Sequence, residues 1–149
     1  MDKQIAVTKQ HRGFTLVELA VVVVIIGVLA AFAVPRFLVS VERSKASEAF
    51  NYASTLHSAQ ERYVSRQGTY SNDISKLDTL LAAPQYFTLG AIVVPASASS
   101  LETGWELTFT RAGSSSGYGA YTVVWGYLGF DGTNSTIPNS INPFQTTDS

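Results

Sequence analysis

Apolar and polar positions change their period twice along the chain. From Phe14 to Val34 the side chains are apolar or uncharged, with Glu18 as the single ionisable exception. As a helix this stretch would rise roughly 32 Å at about 1.5 Å per residue, close to the ~30 Å hydrocarbon core of a bilayer. The run Val21-Val22-Val23-Val24-Ile25-Ile26 is β-branched and would favour a strand in water. A lone segment in lipid must satisfy its backbone groups internally, so a membrane helix is expected. After Pro35 the pattern becomes amphipathic. Ala46, Ala49 and Phe50, Ala53, Leu56, Ala59 and Gln60, then Tyr63 and Val64 recur at three- and four-residue steps, the stripe of a helix with one buried face. Lys45 and Glu48 are spaced to pair on its outer side. Gln67-Gly68 supplies the stop, with glycine at the left-handed position. These patterns predict one nearly continuous helix from about Phe14 to Gln67.

Beyond Gly68 the period shortens. Residues 69–84 read as a connecting loop with a short helix, capped by Ser71 or Asn72, with Ile74, Leu77, Leu80 and Leu81 as its apolar face before Pro84. Tyr86–Val94 is a strand candidate ended by Pro95. Trp105, Leu107 and Phe109 alternate with polar neighbours, and Tyr121, Val123 and Trp125 do so again after the Gly113–Gly117 turn. One face of this antiparallel sheet should cover the stripe of the helix. The fold class is therefore α+β: a long N-terminal helix, half transmembrane and half amphipathic, packed on a small antiparallel sheet head.

Charge sharpens this division. The chain has Lys+Arg 10 against Asp+Glu 11, a formal net charge of −1 and 14% charged residues, against the usual ~25%. It offers no basic footprint for nucleic acid. With no cysteine it has no disulfide scaffold, thiolate zinc site or cysteine nucleophile. Lys3, Lys9 and Arg12 precede the apolar run and predict a cytoplasmic N-terminus. Residues 36–66 are net positive and residues 67–149 net negative, so copies of the chain could meet with complementary sign.

Glu18 is the anomaly, because a carboxylate near a bilayer centre costs about 2.5–3.5 kcal/mol on insertion scales. Its candidate partners are Arg12, a lipid headgroup, or an α-amino group from another copy. Gly13-Phe14-Thr15-Leu16-Val17-Glu18-Leu19, followed by the apolar run with Gly27 and Pro35, resembles the type IV prepilin and pseudopilin signature. The resemblance covers roughly residues 10–40. It implies that a prepilin peptidase cuts between Gly13 and Phe14 and N-methylates Phe14. It also implies that the retained helix forms the core of a helical homo-oligomeric filament, built with an inner-membrane assembly platform and a motor ATPase. The division that follows is a basic leader (1–13), a transmembrane and filament-core helix (14–35), an amphipathic stem (36–68) and a sheet head (69–149). No cofactor is implied. The precursor would sit in the inner membrane and the filament outside it, extracellular or periplasmic. Cleavage would leave a protonated amine on Phe14, which Glu18 of a neighbouring subunit could neutralise inside an apolar core, fixing axial register. Gly27 and Pro35 mark a weak point in the helix; the family likeness implies that it loosens in the filament.

Within this resemblance, the uncharged polar head and the absence of an acidic, calcium-binding tail favour a major pilin of a type IV pilus over a major pseudopilin of a type II secretion system. Ala31-Phe32-Ala33 offers a different class of reading, a secreted binding module cut by signal peptidase after Ala33. The length of the apolar run and Glu18 weigh against it. Other chemistry-like patterns are weaker. Gly113-Ser114-Ser115-Ser116-Gly117 matches G-x-S-x-G, but it links two strands, and both histidines precede it. His57 stands alone in the stem. Asp131 and Asn134 sit in a stretch faintly like a calcium loop, without its spaced carboxylates or closing glutamate. The stretch reads as a turn, with no metal expected. Asn134-Ser135-Thr136 also fits an N-glycosylation acceptor. The aromatic residues along the helix fit packing better than electron conduction. No plausible catalytic set emerges, so an enzyme is not expected.

Overall fold

A computed structural model of the chain describes residues 13–79, 82–115 and 117–145. Contacts divide it into two compact units, Met1–Arg36 and Phe37–Ser149. One helix, α1 (Leu16–Gln67), contributes to both.

In the first unit the described element is the start of α1. Its Val, Ile, Leu and Phe side chains are exposed, and by length and composition this helix could cross a membrane. Pro35 lies inside α1, although it contributes no N–H to the helical ladder.

In the second unit α1 buries Glu42, Ala46, Ala49, Phe50, Tyr52, Ala53, Leu56, Ala59 and Gln60. The four alanines are fully buried, so the helix backbone can approach the sheet closely. Gly68 ends the helix at φ 77°, its N–H donating to the Val64 carbonyl at 2.8 Å. That is the left-handed stop expected from the sequence.

Four antiparallel strands follow in the order β1-β2-β3-β4: β1 (Phe87–Leu89), β2 (Glu106–Arg111), β3 (Thr122–Gly126) and β4 (Gly129–Asp131). Leu107 pairs with Trp125 and Phe109 with Val123. Trp105, Leu107, Phe109, Tyr121, Val123 and Trp125 all face the core with the stem residues, as the alternation requires. Rings lock across this interface: Phe50 meets Trp125 edge-on at 5.9 Å, and Tyr52 meets Phe109 at 5.9 Å.

Several local expectations are corrected. The short helix is a single 3-10 turn, Ile74–Lys76, and its cap is Asp73, whose side chain accepts the Ser75 N–H. Ser71 is occupied elsewhere, with its N–H on the buried Gln60 side chain and its hydroxyl on the Asp73 carbonyl. Leu80 and Leu81 lie outside the described residues. The first strand is three residues long rather than Tyr86–Val94; past Gly90 the chain leaves the ladder and returns for one bridge, Val93 to Glu106. Strand β4 was not anticipated, because Gly129-Phe130-Asp131 is too short for its alternation to register. Gly126, just before that hairpin, has no substitute: a Cβ there would lie 2.6 Å from the Trp105 carbonyl oxygen.

Lys45 and Glu48 do not pair. Lys45 Nζ lies 3.7 Å from Glu42. Glu48 accepts the backbone N–H groups of Gln85 and Tyr86 at 2.8 and 2.9 Å, donors at the entry to β1 that it satisfies while the half-buried Lys45 ammonium turns to Glu42. Near the C-terminal end of the described chain, Ile141 is buried and Phe144 packs on Phe50, Trp125 and Phe130. The Arg43 guanidinium donates to the Gln145 carbonyl at 2.8 Å.

Candidate functional site

Gly13, Phe14 and Thr15 precede α1 in non-helical backbone, and Phe14 is 83% exposed. Thr15 and Glu18 form a reciprocal cap. The Thr15 hydroxyl accepts the Glu18 N–H at 3.2 Å. The Glu18 carboxylate accepts the Thr15 N–H and hydroxyl, each at 3.0 Å. This is the S/T-x-x-E capping box, which satisfies two of the donors a helix start leaves orphaned. Glu18 therefore has partners within its own chain, a possibility legible in the spacing Thr15-x-x-Glu18 but absent from the sequence reading. The Gly13–Phe14 bond lies just outside the capped helix, and Phe14 N is one residue from the cap. Farther along, Gly27 has open space where a Cβ would point.

A second carboxylate, which the sequence patterns do not single out, lies in the second unit. Glu42 is fully buried and meets Arg111, which is also buried. Arg111 Nε donates to Oε1 at 2.6 Å and Nη2 to Oε2 at 3.2 Å, while the Tyr121 hydroxyl donates to Oε1 at 3.0 Å. The guanidinium also donates to the carbonyls of Tyr86, Ala112 and Ser114. Burial alone would raise the Glu42 carboxyl; the bonds from Arg111 and Tyr121 and the Arg111 and Lys45 charges outweigh it and hold the group below its ordinary value. The Tyr121 phenol is pushed well up by burial and then by Glu42. Both partners were visible in the patterns. Arg111 continues the inward series 105, 107, 109, and Glu42 extends the stripe of Ala46 and Ala49 by one turn.

The remaining candidates have local roles. The Asp131 carboxylate accepts from Thr133 N, Asn134 N and Asn134 Nδ2 at 2.8, 3.0 and 2.8 Å, closing a tight turn. Those Asn134 bonds keep its carboxyl below the ordinary value. Among the described residues no group of three or more His, Cys, Asp or Glu is placed to hold a metal. His57 Nδ1 lies 3.1 Å from the Gly126 carbonyl, with its ring 6.0 Å from that of Trp105. Ser115 is buried, and the Ser114 carbonyl is taken by Arg111.

A long apolar helix with a glutamate at its start, continuing into a stem on an antiparallel sheet, defines a pilin-like α+β protein. The prokaryotic N-terminal methylation motif matches residues 8–34. The chain is 48% identical over 63 residues to the type IV major pilin protein PilA of Myxococcus xanthus, covering 42% of this chain and 29% of that protein. It is 46% identical over 63 residues to the fimbrial protein EcpC of Eikenella corrodens, covering 42% of this chain and 41% of that one. It is 36% identical over 84 residues to the type II secretion system core protein G of Escherichia coli, covering 56% and 58%. The chain thus spans less than two thirds of the length of each of these relatives. No solved structure gives a significant match. Over its N-terminal part, by motif and by relatives, the chain is similar to type IV pilins and pseudopilins.

Proposed function

We propose that this protein is a structural subunit, a major pilin, of a type IV pilus or related filament. It has no catalytic role in this reading, and neither cofactor nor nucleic acid takes part. The observation that carries it is the start of α1: an exposed apolar helix whose capped end sets Glu18 one turn from the Gly13–Phe14 bond. Prepilin peptidase cuts that bond on the cytoplasmic side and methylates Phe14. Residues 1–13 are lost as the leader, 14–35 pass from inner membrane to filament core, 36–68 form the stem and 69–149 the head. The assembly platform and motor ATPase move the subunit outward. In the filament, Glu18 leaves its cap and pairs with the Phe14 amine of a neighbour, so that neither charge stands alone in an apolar interior. Gly27 and Pro35 give that helix its weak point.

Intact mass of the mature chain and imaging of sheared filaments test the reading together. A filament subunit starts at Phe14, whereas a chain starting at Val34, recovered as dispersed monomers, refutes it. Glu18→Gln keeps membrane insertion and lowers filament yield; normal yield removes the pairing step. A second reading, the major pseudopilin of a type II secretion system, draws support from the secretion core protein, which shares the longest of the three aligned stretches. Loss of secretion without loss of surface filaments, on deleting the gene, would favour it.

A further inference from the structure

Buried ion pairs are poor sources of equilibrium stability, because desolvation offsets most of the Coulombic attraction. The position of Glu42–Arg111 suggests another use. Counted from the N-terminal end, Glu42 is the first buried residue of α1. Tension applied through the preceding helix reaches the head there before it reaches Ala46 or Phe50. Its partner Arg111 ends β2, which is hydrogen-bonded on both sides, to β1 and to β3. Arg111 also holds carbonyls of Tyr86, just before β1, and of Ala112 and Ser114, just after β2. Tyr121, at the entry to β3, holds the same carboxylate oxygen as Arg111 Nε. Through Arg111 and Tyr121, one carboxylate on the stem is therefore linked to β2, to the entry of β3 and to the residue before β1 by directional bonds. Glu48, Gln60 and Arg43 also bond the head, each to a single connecting segment, and the apolar contacts between them are non-directional and slide more readily under shear.

We infer that the Glu42–Arg111–Tyr121 cluster is a mechanical pin, which spreads axial pull on the stem into the middle of the sheet and keeps the head folded under load. The idea rests on the filament reading, in which subunits are drawn along their helices. Its role is resistance to rupture, a kinetic property, rather than free energy of folding.

The absence of cysteine allows Phe37→Cys and Asp148→Cys to carry handles for optical tweezers, with the full chain held in a nanodisc. The double variant Glu42→Met/Arg111→Met should lower the denaturation midpoint less than Arg111→Ala does, because it leaves no unpaired buried charge. Its rupture force should fall to roughly half that of the parent. Unpinning the exposed cluster of Asp78 with Arg62 and Arg66, through Arg62→Ala/Arg66→Ala, should leave the force unchanged. A folded double variant that ruptures at the parent's force overturns the inference. Should the double variant fail to fold, Glu42→Asp, which keeps the charge but withdraws it by one methylene, must lower the force; an unchanged force again overturns it. Because rupture is read on single chains, a failure to find filaments in sheared preparations would count against the filament reading and leave the pin standing.

Discussion

The two stretches of α1 treat a glutamate in opposite ways. Ahead of Pro35 the helix exposes its large apolar residues and keeps Glu18 at its tip, capped by Thr15. Beyond Arg36 it presents small alanines to the sheet and buries Glu42 completely against Arg111. The more hydrophobic stretch is the one whose side chains are exposed. What selects the docked stretch is shape: alanine at Ala46, Ala49, Ala53 and Ala59 admits the sheet's bulky Trp105, Phe109 and Trp125. In the proposed filament, the exposed stretch would bury its long side chains in lipid and then against copies of itself.

The sharpest way to break this contrast is to unpair the buried carboxylate. Arg111→Ala leaves Glu42 buried without its cation and should cost about 3–5 kcal/mol, read as a fall in the denaturation midpoint. Next comes acid. Because the Glu42 carboxyl is lowered in the folded head, its stabilisation is fully present above the unfolded value near 4.5. It is lost as pH falls through the lower folded value. Glu42→Met/Arg111→Met should therefore lose less stability than the parent between about pH 4.5 and the acid limit, and equal losses in both proteins would remove Glu42 from the acid response. On the exposed stretch the effect is smaller. Thr15→Ala removes a cap and should weaken the first turn of α1 by about 1 kcal/mol, seen as faster amide exchange at Leu16–Leu19 in micelles, while the melting of the head stays unchanged. Smallest is Asp78, whose carboxyl is drawn down to about 2 by Arg62 and then Arg66 on exposed surface. Arg62→Ala should move its NMR titration toward 3.8 without shifting the melt.

Much of this was legible from one-dimensional pattern. The span of α1, its glycine stop, the alanine stripe and the inward series on β2 and β3 follow from period alone, because each depends on neighbours three or two residues away. The motif around Glu18 is legible as a resemblance; its capping partner lies in the spacing Thr15-x-x-Glu18, which a carboxylate in an apolar run, calling for a cation, overshadows. Glu42 and Arg111 were missed for a deeper reason. Each pattern placed its own residue on an inward face, yet that two inward faces meet at those two positions is decided by how helix and sheet are offset, which period does not encode. The same offset explains why Glu48 serves the entry to β1 and not Lys45. Short elements such as β4 and the 3-10 turn at Ile74 escape because three residues carry too little repeat.

Arg43 and Gln145 join points 102 positions apart in the chain, and Phe144 closes over Phe50 from the same direction. The late residues of the head are thereby clipped to the helix from which the head grows. Peeling from the C-terminal side breaks contacts to the stem, and disturbing the stem loosens those late residues as well. The head should therefore come apart cooperatively, as a single transition with no half-undone form surviving for long enough to be digested or to aggregate.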